Sequence, residues 1–196
     1  MKVLIIGCGG IGSFLVRELA DAIRWGQFEG VADLADPDVV EFRQLRYQNF
    51  TEADVGRNKA EALAERYNRE LGADVFRAVP TRIAKPSQLK GYDLVVLCVD
   101  NDPTRKLVIE HAHRNGVEFL DLRATGRRVF AVPKLTLKEN LKFVDAGDRA
   151  EYSCQEGADL KNGRINLGNR IVAVIGAQML LNLTRGHKNR IVSLVV

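Results

Sequence analysis

Three glycines at G-x-G-x-x-G spacing, Gly7, Gly9 and Gly12, close an apolar run at residues 3–6. Such a turn lets backbone N–H groups approach a phosphate closely, and a helix starting directly after it adds its partial positive charge. Gly10 lies in the same turn. The chemistry on offer is phosphate binding; the plainer alternative is an ordinary strand–helix turn. Asp36 follows at about the 20-residue distance at which an acidic side chain meets a ribose hydroxyl. With Asp38 it flanks Pro37, and an Asp-Pro-Asp turn is the structural alternative. We favour the ribose role for Asp36, with Asp38 beside it in the nucleotide site.

Asp100 ends a second apolar run, at 92–99, and opens the step Asp100-Asn101-Asp102-Pro103. In a doubly wound sheet that carboxylate faces the same crevice as the glycine turn. Placed about 4 Å from a phosphate, it would be repelled by roughly 4 kcal/mol at an effective dielectric of about 20. A magnesium ion between the two reverses the sign, and ATP is the usual ligand that brings one. Asn101 adjoins as a further polar contact. Arg43, Arg46, Arg57 and Lys59 are the cations placed to share a triphosphate's charge. Two alternatives stay open: Asp100 or Asp102 as the N-cap of the next helix, and Lys59 as an ordinary solvated lysine.

The elements that must position these groups alternate. The spacing predicts strands at 3–6, 28–36, 73–79, 92–99, 117–122 and 129–132, with a further short strand at 142–145 and a closing one at 191–196. Helices are expected over 13–25, where Phe14, Leu15, Leu19, Ala22 and Ile23 share a face, over 55–71 behind an Asp54 N-cap, and over 104–115 before Gly116. A strongly apolar helix is expected at 169–184, and 146–168 reads as a polar loop carrying Cys154. The expected fold is α/β: a doubly wound, Rossmann-like, mostly parallel sheet with additional antiparallel strands toward the C-terminus, in a single domain over 1–196. Right-handed crossovers place the fourth strand beside the first.

Composition narrows the partners. The chain has 196 residues, 46% hydrophobic and 28% charged, and a formal charge of +4, too small to argue for nucleic acid. Its three cysteines, Cys8, Cys98 and Cys154, form no C-x-x-C pair, so neither a disulfide framework nor a cysteine zinc site is supported. Cys8 and Cys98 read as buried small hydrophobes. No apolar run reaches membrane-spanning length and no leader pattern precedes the first strand, so the expectation is cytoplasmic.

In order and spacing, GCGGIGS at 7–13, DPDVVE at 36–41, DVGRNKAEAL at 54–63 and VDNDPTR at 99–105 resemble the ubiquitin-activating-enzyme-like family, which includes the ThiF/MoeB/HesA adenylyltransferases. GRRVFAV at 126–132, SCQEG at 153–157 and VAVIGAQMLLNL at 172–183 extend the resemblance over nearly the whole chain. It implies binding of ATP with Mg2+ and adenylation of the C-terminal carboxylate of a ubiquitin-like β-grasp carrier, by a homodimer. It also implies roles: Gly9, Gly10 and Gly12 cradle phosphate, Asp36 holds ribose, Lys59 meets the phosphates and Asp100 positions magnesium. Cys154 matches a cysteine that in some members bonds covalently to the carrier; the alternative is a loop thiol without a role.

The chain departs from that pattern in places. Tyr47 stands where the family has an arginine, with Arg46 one residue early as its nearest substitute, and the family's zinc-binding cysteine pairs are absent. Only six residues precede Gly7, so another basic residue or a partner's arm is expected to replace the family's N-terminal arginine. An E1-like scaffold subunit and a nicotinamide-dependent dehydrogenase are the competing functions.

Overall fold

The computed structural model describes residues 1–125, 127–145, 162 and 164–196. In chain order the elements are β1 (Lys2–Ile6), α1 (Gly12–Arg24), β2 (Val31–Ala35), α2 (Lys59–Leu71), β3 (Phe76–Val79), β4 (Leu94–Leu97), α3 (Asp102–Asn115), β5 (Glu118–Thr125), β6 (Arg128–Pro133), α4 (Leu137–Asp145), α5 (Gly168–Thr184) and β7 (Val192–Val195). The strands form one sheet in the order β3-β2-β1-β4-β5-β6-β7. The first five run parallel, while β6 and β7 join antiparallel. The strand order reverses direction at β1 and β4, the place where ligands of such sheets bind.

Alternation along β1 explains why both faces are covered. Val3 and Ile5 pack with α1, α2 and α5, whereas Leu4 and Ile6 pack with α3 and α4. All four are at most 4% exposed, which is why the run reads as continuously apolar. Fully burying one such side chain contributes about 1.5–3 kcal/mol. Gly176 lets α5 pack tightly on β5: an added Cβ there would stand 2.3 Å from Leu122 Cδ1.

Two local expectations need correction, and two of the open alternatives fall away. Residues 142–145 are not a strand but the last turn of α4. Its start is fixed by a reciprocal Thr136–Glu139 capping pair, and Leu141 and Val144 face the core one turn apart. Asp54 does not cap α2; it ties off a short 3-10 turn through Thr51, and Asn58 caps the helix by accepting from the Ala60 and Glu61 amides. Neither Asp100 nor Asp102 is the cap of α3. Asn101 is, with Oδ1 accepting from the Thr104 amide at 3.0 Å. Lys59, far from solvated, is 4% exposed at the first position of α2. The strand at 191–196 is β7, an edge strand as expected, and Cys8 and Cys98 are buried and outside any disulfide. Among the described residues no helix is long and apolar enough to cross a membrane.

Candidate functional site

The turn after β1 is shaped by two glycines that admit no side chain. Gly7 has φ +92°, and a Cβ there would stand 2.7 Å from the Cys98 carbonyl oxygen. A Cβ on Gly12 would stand 1.8 Å from the Gly7 carbonyl oxygen. Gly9 is different: its nearest neighbour in that direction is Gln48 Nε2 at 3.8 Å, so it opens toward space rather than packing. Sequence spacing alone does not separate these two uses of glycine.

Buried backbone N–H groups nearly always find an acceptor. The amides of Gly9, Gly10 and Ile11 have none among the described residues. No side chain caps α1, and its first turn carries no acidic residue. Gly9 and Gly10 line a cleft of about 260 Å³ at the carboxyl ends of β1, β2, β3 and β4. Free amides in a turn that opens a helix make a concave anion site.

Asp36, directly after β2, is 5% exposed. Its Oδ2 accepts from the Cys8 amide at 2.6 Å and its Oδ1 from the Asp38 amide at 2.8 Å. Asp36 therefore shapes the turn, and it also lines the cleft with acceptor capacity to spare on both oxygens. Burial raises its pKa, and the two amide bonds together with Lys59 pull it partly back. Burial likewise pushes the neighbouring Cys8 thiol well up, with the Asp36 carboxylate adding to it. Cys8 is thus an inert spacer in the turn.

Lys59 reaches the cleft because α2 is tied to the loop after β2. Asn58 Nδ2 donates to the carbonyls of Asp36 and Asp38 at 2.9 and 3.1 Å, and the Lys59 amide donates to the Asp38 carbonyl at 2.9 Å. The Lys59 ammonium then lies 3.2 Å from Asp38 Oδ2, in a side chain that is itself 61% exposed. An ammonium carries three donors, and burying one costs several kcal/mol unless it is well paired. One solvated carboxylate is a thin return for that cost, so the site is built to receive more negative charge.

Asp100 lies across the cleft, exposed, and its carboxylate makes no hydrogen bond or ion pair among the described residues. Asn101 also lines the cleft; its oxygen is committed to the α3 cap, which leaves Nδ2 free to donate. Gln48 Oε1 is buried and unpartnered beside the glycine turn. The cleft therefore gathers Gly7, Gly9, Gly10, Asp36, Asp38, Lys59, Asp100 and Asn101. Gly12 stands behind it as packing, and Arg46 is exposed on a 3-10 turn without lining it. Cys154 lies outside the described residues.

Sequence reasoning missed Thr81, Arg82 and Ile83, which follow β3 and line the far end of the cleft. Arg82 is exposed, and its guanidinium has no acidic partner among the described residues. No motif marks this loop; only the β3-β2-β1 strand order brings it beside Asp36.

Comparison with known proteins gives the family and the fold. A 110-residue stretch is 40% identical to mouse (Mus musculus) "Adenylyltransferase and sulfurtransferase MOCS3", covering 54% of this chain and 23% of that protein. Over 170 residues the chain is 29% identical to "ATP-dependent ubiquitin transferase-like protein Cap2" of Enterobacter hormaechei, covering 84% of this chain and 27% of that protein. The chain spans about a quarter of the length of these relatives. In fold it matches the crystal structure of E. coli MccB with ATP at a TM-score of 0.76 and 17% identity, over 100% of this chain and 60% of that one. The ThiF family model matches residues 1–193, and the chain belongs to the ThiF family.

Proposed function

We propose that the cleft binds ATP with magnesium and that the chain transfers AMP to a carboxylate, that of the C-terminus of a ubiquitin-like β-grasp carrier. The observation that carries this reading is the set of unpartnered amides at Gly9, Gly10 and Ile11, in the turn whose Gly9 and Gly10 line the same cleft as a buried ammonium and an uncommitted carboxylate. The relatives named as adenylyltransferases, the ubiquitin transferase-like Cap2 and the ATP complex of MccB support it.

The residues fit the metal. Asp100 offers one free carboxylate, and among the described residues no group of three or more His, Cys, Asp or Glu could hold an ion by itself. Magnesium suits such a site, since it is commonly held by one or two carboxylates plus phosphate oxygens and water. When bound it neutralises phosphate charge and makes the α-phosphorus a better electrophile.

This chain's own groups do the rest. The glycine-turn amides and Lys59 hold the phosphates and stabilise the charge that builds on them, and Asp36 accepts from the ribose hydroxyls. The attacking carboxylate is already ionised at neutral pH, so the step needs alignment rather than a base. Its oxygen bonds to the α-phosphorus, the bond to the bridging oxygen of the β-phosphate breaks, and pyrophosphate leaves with that electron pair. Exposed Val174 on α5 and Leu194 and Val195 on the β7 edge favour a second copy of the chain as a further partner.

Carrier-dependent exchange between ATP and labelled pyrophosphate is the test. Exchange is expected with ATP and magnesium and absent without the carrier. Nucleotide binding without exchange until a second subunit is added would make the chain a scaffold half, and tighter binding of NADH than of ATP with magnesium would overturn the reading.

A further inference from the structure

A buried charge cluster adjoins the peptide that carries Asp100. Arg105 on α3 is 1% exposed, Asp121 on β5 is 1% exposed and Arg123 on β5 is 6% exposed. Arg105 Nε donates to Asp121 Oδ1 at 3.2 Å, and Arg123 Nε donates to Asp121 Oδ2 at 2.9 Å. The two guanidiniums then diverge. Arg105 Nη2 donates to the carbonyl of Val99, and its Nη1 reaches Asp102 Oδ1 at 3.4 Å. Arg123 Nη1 donates to the carbonyl of Phe143, in the last turn of α4, at 2.7 Å.

The Val99 carbonyl belongs to the peptide that links Val99 to Asp100. A guanidinium fork bound to that peptide, to the first turn of α3 and to a buried carboxylate on β5 fixes the chain on both sides of Asp100. Asp100 itself has no protein partner among the described residues, so nothing bonded to its own side chain sets its direction. Its aim depends on the backbone that carries it, which Arg105 holds on the Val99 side as the Asn101 cap holds it on the other.

We propose that Arg105 is the positioning residue for Asp100: by gripping the Val99 carbonyl against Asp121 it holds the Asp100 carboxylate where a nucleotide-bound divalent cation can meet it. The inference rests on the reading of the cleft as a magnesium–ATP site. Lysine is a poor substitute, because one ammonium cannot span three acceptors that a planar fork reaches together. Asp121 keeps Arg123 after that change, so the buried carboxylate is not left alone.

The test is binding of Mn2+ in the presence of ATP, read by electron paramagnetic resonance, with adenosine affinity and thermal melting measured alongside on the full chain. In Arg105→Lys, Mn2+ binding is expected to weaken roughly ten- to a hundredfold, as when a partner that orients a metal ligand is lost. Adenosine, which needs Asp36 but not Asp100, should bind as in the wild type. Arg123→Lys perturbs the same carboxylate without touching the Val99 peptide, and should leave Mn2+ binding unchanged. Equal loss in both variants, or unchanged Mn2+ binding in a folded Arg105→Lys, overturns the proposal while leaving the cleft's function intact. Should Arg105→Lys not fold, Arg105→Gln carries the same expectations; failure of both to fold makes Arg105 a structural requirement and also overturns it. A wild-type chain whose Mn2+ binding ignores ATP overturns the function itself.

Discussion

Two aspartates at β2, Asp33 within the strand and Asp36 just beyond its end, are buried alike at 6% and 5% exposure, yet their surroundings are opposite. Asp33 is saturated by side chains: Tyr92 Oη donates to it at 2.6 Å, Arg77 Nε at 2.8 Å, and Lys2 Nζ stands 3.8 Å away. Its charge also drives the Tyr92 hydroxyl's pKa upward, after burial. Asp36 is held by two backbone amides and faces a cleft whose other polar groups stay under-used. Burial alone therefore does not mark a functional carboxylate. What separates the two is whether the protein itself completes the hydrogen bonding.

That contrast can be broken or sharpened by substitution. The largest effect is expected at Asp100, where Asp100→Ala should lower pyrophosphate exchange by roughly a hundredfold or more, since it removes the protein's hold on the neutralising charge. Lys59→Met should cost about 1.5–3 kcal/mol of ATP binding, the worth of a hydrogen bond to a charged group, by calorimetry. The same variant should melt no lower than the wild type, because the native chain loses a thinly paired buried ammonium. Asp33→Ala should do the reverse. Stripping the acceptor from Tyr92 and Arg77 should cost about 1–3 kcal/mol in denaturant unfolding and leave ATP affinity where it was.

The pH dependence separates the pair further. With its folded pKa held above the ordinary aspartate value, Asp36 binds its proton more tightly in the native state. Its contribution to folding stability therefore falls as pH rises through that interval. Nucleoside binding runs the other way. As pH falls through the raised pKa, the carboxylate gains a proton and loses acceptor capacity, so adenosine affinity should weaken at a pH above the ordinary value of about 3.9. In Asp36→Asn that dependence should vanish. The smallest effect is expected at Arg82: exposed and solvated, its loss in Arg82→Ala should cost only about 0.2–1 kcal/mol of ATP binding, and the cost should shrink in salt.

Much of this was legible in the residues themselves. The run at 3–6 followed by glycines marked β1 and its turn, the continuous run at 92–99 marked β4 as a strand covered on both faces, and right-handed crossovers put the two side by side. Asp36 and Asp100 followed from strand ends. Lys59 and Arg82 were harder for a physical reason: their places depend on contacts distant in sequence. Lys59 is drawn into the cleft only because Asn58 bonds the carbonyls of Asp36 and Asp38, and Arg82 arrives there only because β3 pairs with β2. Arg46 shows the converse: a cation at the right sequence position points out to solvent when the local turn is 3-10. The α4 segment was misjudged because its apolar residues, Leu137, Leu141 and Val144, declare a helical spacing only when read from Thr136 onward.

The most direct test of the central claim is a calorimetric titration of ATP into the wild-type chain and into Asp100→Asn, each with and without magnesium. Magnesium is expected to strengthen ATP binding roughly tenfold or more in the wild type and to leave Asp100→Asn nearly unmoved. An equal gain in both proteins would contradict that claim, because the cleft's free carboxylate would then have no part in holding the metal.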